Sequence, residues 1–391
     1  MNPTPHSAFD GTNTGPARMG PTPPLTSIRF FAAFWVVLYH TMHRFDSMES
    51  TWITVNKFVD IGYSAVGLFF VLSGFIMYNV YPVLNTHALK WRFFVARVAR
   101  IYPLYALTLL ADAPRLFAWR VVKYGLTKGF FGTAATFFAS LFGLQVWFPS
   151  LGGLNFPSWS VATELAFYLA FPLLLPWISS IRTKTTAVGW AFICWSLFSF
   201  MPALFLSGLV DESGSLSILV ERNPLFRVPE FALGAIIGRL FSILDVPSKR
   251  RVHISIMSCL AGVSGLTLIV LTHDPLRARM LENALTVPVY ALLIFASATS
   301  AGMVARILSS QILVAFGAAS YALYLIHALF WDYAGNIGDG ESASNYPIYI
   351  FSVLLGSLAI HYAIENPARV KILATVRARS SNNKPSGAHG F

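Results

Sequence analysis

Charge is scarce in this chain. Only 12% of its 391 residues are Asp, Glu, Lys or Arg, about half the usual share for a soluble domain. Acid is scarcer than base, 17 against 28, and the formal net charge is +11. Cysteine is nearly absent. Cys194 and Cys259 both sit in apolar runs, which excludes a bridged framework and a thiolate metal cage and reads both as core residues. There is no His/Cys ligand spacing, no phosphate-binding glycine loop, no G-x-S-x-G elbow and no sustained internal repeat, so no metal is expected. No polar region is large enough for a DNA-binding domain, so nucleic acid is not an expected partner despite the basic balance.

Hydrophobic residues fill the space. They make up 55% of the chain, aromatics 15%, and the mean hydropathy is +0.60. A soluble protein cannot bury that much apolar surface, so the pattern predicts an all-α, polytopic integral membrane protein. The apolar stretches are too long and too even for the alternating strands of a barrel. Eleven can be read, at about 28–44, 58–80, 101–117, 129–148, 159–178, 187–208, 224–243, 252–273, 283–303, 311–333 and 346–365. Residues 1–24, rich in Pro, Thr and Gly, read as a disordered cytoplasmic tail without a cleavable signal. Residues 371–391 read as a second such tail, which leaves 25–370 for the membrane domain.

Charge sets the orientation. Lys90, Arg92, Arg97 and Arg100, then Lys249, Arg250 and Arg251, then the basic C-terminal tail, belong on the cytoplasmic side. Asp211, Glu212 and Glu221, and Asp339 with Glu341, mark outward loops. Both ends are then inside, which requires an even number of crossings. The stretch 115–128 carries Arg115, Arg120, Lys123 and Lys128 with no acid, so it is expected inside too, and the segment before it, 101–117, is interrupted by Asp112, Pro114 and Arg115. It is therefore expected to be re-entrant or interfacial, leaving ten spans.

Depth follows from this map. The run FAAFWVVLYH ends on His40, and Arg29 precedes it by eleven residues, roughly 16 Å along a helix. His40 would lie near the outer level, and alone it reads as an interfacial histidine reaching for water. Its functional reading is proton exchange near neutral pH, with His43 one turn further on. Glu164 lies over a turn inside an otherwise apolar run, where a carboxylate beside His40 would orient and charge the imidazole. Arg97 and Arg100, at i and i+3, share one helix face and suit phosphate; the competing reading is a belt touching lipid headgroups. Arg29 alone reads as a snorkelling cation at a helix end. In FFVLSGF (69–75), Ser73 and Gly74 suit close helix packing. Trp159 and His327 fall toward the outer level; a histidine such as His327 more often completes a core or an interface.

Together these elements resemble membrane-bound acyltransferase family 3. In order they are Arg29 with ten residues before His40, FFVLSGF, Arg97-x-x-Arg100 before IYP, Trp159-Ser160 with Glu164, SYALYLIH (320–327) and Glu365-Asn366-Pro367. The resemblance covers about residues 25–370. It implies an enzyme of the bacterial inner membrane, with ten spans and both termini cytoplasmic. Such an enzyme moves an acyl group, usually acetyl, from cytoplasmic acyl-CoA to a hydroxyl of a glycan, exopolysaccharide or related small molecule. On that reading His40 and Glu164 are catalytic, Arg29, Arg97 and Arg100 bind the acyl-CoA, and Trp159 and His327 contact substrate. Membrane lipid and polysaccharide assembly proteins are the remaining expected partners. The rival reading is a transporter or flippase for a lipid-linked glycan; it would carry inverted repeats and ignore acyl-CoA.

Overall fold

The computed structural model describes residues 22–42, 53–208, 215–244, 248–273, 279–334 and 345–382. The N-terminal tail to residue 21, His43, Asp211, Glu212, Asp339, Glu341 and the last nine residues lie outside the described residues. Every regular element within them is helical. The first half contains α1 (Pro23–Met42), α2 (Ile53–Asp60), α3 (Ala65–Val80), α4 (His87–Tyr124), α5 (Leu126–Leu141), α6 (Ser158–Ser180) and α7 (Lys184–Leu206). The second half contains α8 (Ser215–Arg222), α9 (Pro224–Leu244), α10 (Ser248–Leu271), α11 (Arg279–Ala298), α12 (Gly302–Leu308), α13 (Gln311–Ala318), α14 (Ser320–Ala334), α15 (Tyr346–Ile360) and α16 (Asn366–Asn382). A tight 3-10 turn, Ile61–Ser64, joins α2 to α3, and a wide π turn, His361–Glu365, joins α15 to α16.

Among the described residues, eight helical stretches are long and apolar enough to cross a bilayer. A ninth is the α13–α14 pair, bent by 62°. Helix α9 is 21 residues long and packs lengthwise on α3, with further contacts to α6 and α7. It misses the apolar criterion because it carries Arg227, Glu230 and Arg239. Arg227 and Glu230 pair at 2.9 Å, each about 1% exposed, so their charges face protein rather than lipid. Counted with the others, α9 brings the total to about ten, as the sequence leads one to expect. Large apolar side chains on the outside of α7 and α10, such as Phe192, Phe200, Met257 and Leu268, are exposed. That surface fits lipid.

The segment 101–117 is not re-entrant or interfacial. It lies inside α4, one unbroken helix of 38 residues containing both Pro103 and Pro114. A proline removes one backbone bond and normally kinks or ends a helix. Here the helix runs on through both, and hydroxyls from α14 and its C-terminal end hold it nearby: Tyr321 donates to the Ile101 carbonyl at 3.0 Å and Tyr333 to that of Ala111 at 2.5 Å. Asp112, 1% exposed, is neutralised by Arg115 at 2.6 Å. The element that turns back is α5, 16 residues long, which packs against α4 and returns as far as Tyr105, whose hydroxyl donates to Ser140 O. The expected span 129–148 therefore stops at Leu141. The tail expected from residue 371 is helical to Asn382.

Helices α3 and α9 cross backbone to backbone. A Cβ placed on Gly74 would sit 1.9 Å from Phe231 O, and one on Gly234 would sit 1.9 Å from Val71 O. Dispersion between close-packed backbones holds such a crossing in lipid, where helix association gains nothing from the hydrophobic effect. Gly234→Val is expected to lower the thermal denaturation midpoint of the purified protein. The loss should lie at the upper end of about 1–3 kcal/mol, because a backbone carbonyl cannot swing aside as a side chain can. An unchanged melting temperature would contradict the crossing.

Candidate active site

Two groups of polar side chains face the middle of the bundle from opposite ends. Arg29, near the start of α1, and Arg100 of α4 line one cavity together with Glu164, Ser160, Tyr321 and Tyr324. His40, near the other end of α1, bonds His327 of α14. Arg29 and His40 are eleven residues apart, about 16 Å and three helical turns, which returns His40 to within about 20° of the face that carries Arg29. One face of α1 thus serves both ends.

At the histidine end, the bonding pattern assigns the protons. His327 is 1% exposed, and its Nδ1 lies 2.7 Å from the Tyr324 carbonyl. A carbonyl only accepts, so His327 Nδ1 carries the hydrogen and its Nε2, in the neutral ring, carries the lone pair. His40 Nδ1 lies 3.0 Å from that Nε2 and must donate to it. The neutral His40 ring then has its lone pair on Nε2. The two rings are nearly parallel, 5.2 Å apart, and Phe156 meets His40 edge-on. The sequence marked both histidines but not the bond between them, which spans 287 residues.

Local geometry explains why Phe156 reaches His40. Asn155 takes a left-handed conformation, φ 48°, unusual for a residue other than glycine. Its backbone N–H donates to Asp112 Oδ2 at 2.7 Å and its side chain to the Leu325 carbonyl at 3.0 Å. Arg115 adds Asp332 at 3.4 Å to its pair with Asp112. Together these bonds tie α4, the segment entering α6 and α14 at one level. Behind that level, Ser160 donates to the Tyr324 hydroxyl at 2.7 Å, linking α6 to the helix that holds His327.

Trp159 is 9% exposed and packs against Phe70 and the guanidinium of Arg222. Arg222 also lies over Phe156. Neither Arg222 nor Phe156 was marked by the sequence.

At the arginine end, Glu164 accepts from Ser73 at 3.0 Å and from Tyr168 at 2.5 Å, both on Oε1. It makes no hydrogen bond to His40. The carboxylate expected to orient the imidazole instead faces Arg29 across the cavity, and His327 occupies the orienting position. Ser73 of FFVLSGF therefore does more than pack: it holds the carboxylate. Arg97, 7% exposed, sits behind the cavity wall, donating from Nη2 to Tyr81 Oη at 2.8 Å with its guanidinium over the Tyr81 and Tyr168 rings. Arg97 and Arg100 do share a helix face, but only Arg100 lines the cavity. The Nε–H groups of Arg29 and Arg97 are buried with no acceptor. Buried donors are normally satisfied, so an arginine cluster with orphaned N–H groups suits an anionic ligand. Among the described residues no group of three or more His, Cys, Asp or Glu could hold a metal ion.

Fold and site together define a helical membrane enzyme. It has a guanidinium-lined cavity at one end and a paired imidazole at the other. The family model described as an acyltransferase domain, Acyl_transf_3, matches residues 25–364. The chain belongs to acyltransferase family 3 and is an acyltransferase. It is 27% identical to acyltransferase MdmB of Streptomyces mycarofaciens, over 90% of this chain and 92% of that one. It is 22% identical to "Putative O-acetyltransferase SAR0937" of Staphylococcus aureus strain MRSA252 over 92% of this chain. The match spans 59% of the length of that staphylococcal relative. Nodulation protein 10 of Rhizobium leguminosarum bv. viciae matches at 30% identity over 38% of this chain and 42% of its own. No solved structure matches the chain.

Proposed function

We propose that the protein transfers an acetyl or other acyl group from acyl-CoA to a hydroxyl on a glycan, exopolysaccharide or related small molecule, with His40 Nε2 as the base. The observation that carries this reading is the chain of bonds from Tyr324 O through His327 to His40, which leaves the basic nitrogen on Nε2. The coenzyme's phosphates lie at the arginine end, on Arg29 and Arg100, with Arg97 adding its charge from behind the cavity wall. The pantetheine arm extends along the cavity so that the thioester comes to His40. His40 takes the acceptor's hydroxyl proton as the oxygen attacks the thioester carbonyl. The carbon–sulfur bond breaks, and the departing thiolate takes the proton back from His40. A route in which Nε2 itself carries the acyl group for a moment uses the same nitrogen and the same His327 support.

In this reading the arginine end faces the cytoplasmic side of a bacterial inner membrane, where acyl-CoA is present, and Lys90, Arg92, Arg97 and Arg100 at that end support it. The acceptor then approaches from the histidine end, past Trp159 and Phe156. Glu164 offsets the arginine charge and holds Tyr168 against Arg97.

The test uses purified protein in nanodiscs with radiolabelled acetyl-CoA. Release or transfer of label that needs the protein supports the reading. Absence of any CoA binding would overturn it in favour of a transporter.

His327 acts in this scheme by positioning His40 rather than by touching substrate. His327→Phe is expected to slow transfer by about 10- to 100-fold, the worth of one buried hydrogen bond to a reacting group. His327→Gln keeps an acceptor at similar reach and is expected to recover much of the rate. Equal rates for Phe and Gln would show that the hydrogen bond to His40 is irrelevant.

A further inference from the structure

The arginine end contains a fourth guanidinium. Helix α16 packs on α4 through Leu373 against Ala96 and Ala99, with Val95 and Ile372 beside them. Ala96 and Ala99 alternate with Arg97 and Arg100 along α4, and Arg369 lies one turn before Leu373. This contact brings Arg369 within electrostatic range of Arg100 and Arg97, beside Tyr81 and Glu365. The wide π turn His361–Glu365 sets the angle at which α16 arrives, and such turns recur at functional sites. Glu365, buried within that turn, is tied to His361 Nδ1 at 3.0 Å. Arg369 Nε is buried with no acceptor, as are Arg29 Nε and Arg97 Nε.

Four arginines therefore gather around two carboxylates, Glu164 and Glu365. Like charges held together away from water repel strongly unless a ligand neutralises them. A single phosphate does not suit this layout. Arg29 and Arg100 line the cavity, whereas Arg369 stands outside its lining on a separate helix. Such an arrangement fits a ligand whose phosphates are separated. We infer that Arg369 binds the ribose 3′-phosphate of a CoA-type donor, while Arg29 and Arg100 take the diphosphate with the charge of Arg97 behind them. This rests on the reading of acyl-CoA as donor and adds a residue and a subsite to it.

The experiment compares CoA with 3′-dephospho-CoA as ligands for the full chain in phosphatidylcholine nanodiscs, by calorimetry. Wild-type protein should bind dephospho-CoA about 10- to 100-fold more weakly, the range for one charge-assisted contact. Arg369→Gln should weaken CoA binding by that factor and leave dephospho-CoA binding unchanged. Equal weakening of both ligands, or of neither, overturns the inference. Wild-type protein that binds neither ligand refutes the acyl-CoA reading itself. A lipid headgroup is the other source of phosphate at this level. If it is the true partner, the wild type will not discriminate between the coenzymes, and Arg369→Gln will only alter stabilisation by added phosphatidylglycerol; that result also overturns the inference. Should Arg369→Gln fail to fold, Arg369→Lys decides: a reduced but surviving preference for CoA supports the assignment, and an unchanged preference rejects it.

Discussion

His40→Ala is expected to reduce acyl transfer by about 10²- to 10⁴-fold, the usual contribution of a positioned acid–base group. It should leave the affinity for CoA within about twofold of wild type, because the arginine cluster is about 16 Å along α1 from the histidine. The measurement pairs single-turnover thiol release with a CoA binding isotherm on the same preparation. A second feature separates this role from a structural one. In a His40→Ala background, His327→Phe should have almost no further effect on rate, since its only path to the chemistry runs through His40 Nδ1. Groups that act as one unit lose their effects together rather than additively. Additive losses would place His327 on the substrate, as the family resemblance led one to expect. Transfer that survives His40→Ala at the wild-type rate would remove His40 from the mechanism.

Parts of the molecule are legible in the sequence because they depend on one local quantity. Hydropathy averaged over some twenty residues finds a span wherever the helix faces lipid or core; it read eleven apolar segments, which the charge pattern reduced to ten. The eleven-residue spacing of Arg29 and His40, and the i, i+3 spacing of Arg97 and Arg100, fix their faces by helix geometry alone. Features that depend on a distant partner were hidden. Asp112 and Pro114 look like the end of a helix until Asn155 and Tyr333 are brought beside them from other elements, while Arg115 of the same helix pairs with Asp112. Helix α4 runs on through both prolines and is held against α14 by the Tyr321 and Tyr333 hydroxyls.

The same physics explains the misplacement of Glu164. A lone carboxylate in an apolar run must find a partner, and the sequence offers His40 as the obvious one. The fold offers Ser73 and Tyr168, with Arg29 across the cavity. Arg369 was invisible for a different reason. In a basic C-terminal segment, one arginine near the membrane face is indistinguishable from its neighbours by charge alone. Only the contact of Leu373 with Ala96 and Ala99 singles it out. Asn155 carried a faint signal, since asparagine is among the few residues that adopt a left-handed turn readily.

Arg97 and Arg100 share a motif but should fail differently. Arg100 lines the cavity and makes no hydrogen bond among the described residues, so its guanidinium is available to a ligand. Arg100→Gln is expected to weaken CoA binding by about 10- to 100-fold with little change in melting temperature. Arg97 is held by the Tyr81 hydroxyl and lies over the Tyr81 and Tyr168 rings, and Tyr168 in turn donates to Glu164. Its removal opens a hole in that aromatic cage and frees Tyr168, so Arg97→Gln should lower the melting temperature as well as the affinity. The double variant is expected to lose about 10²- to 10³-fold in CoA affinity. The salt dependence of what binding remains should flatten, because two of the charges that ionic strength screens are gone. Binding isotherms from low to high salt, run beside thermal melts, read both effects. If Arg97→Gln were as stable as Arg100→Gln, the tyrosine cage would have no structural role. If the double variant bound CoA with wild-type affinity and salt dependence, the coenzyme's phosphates would have to dock elsewhere.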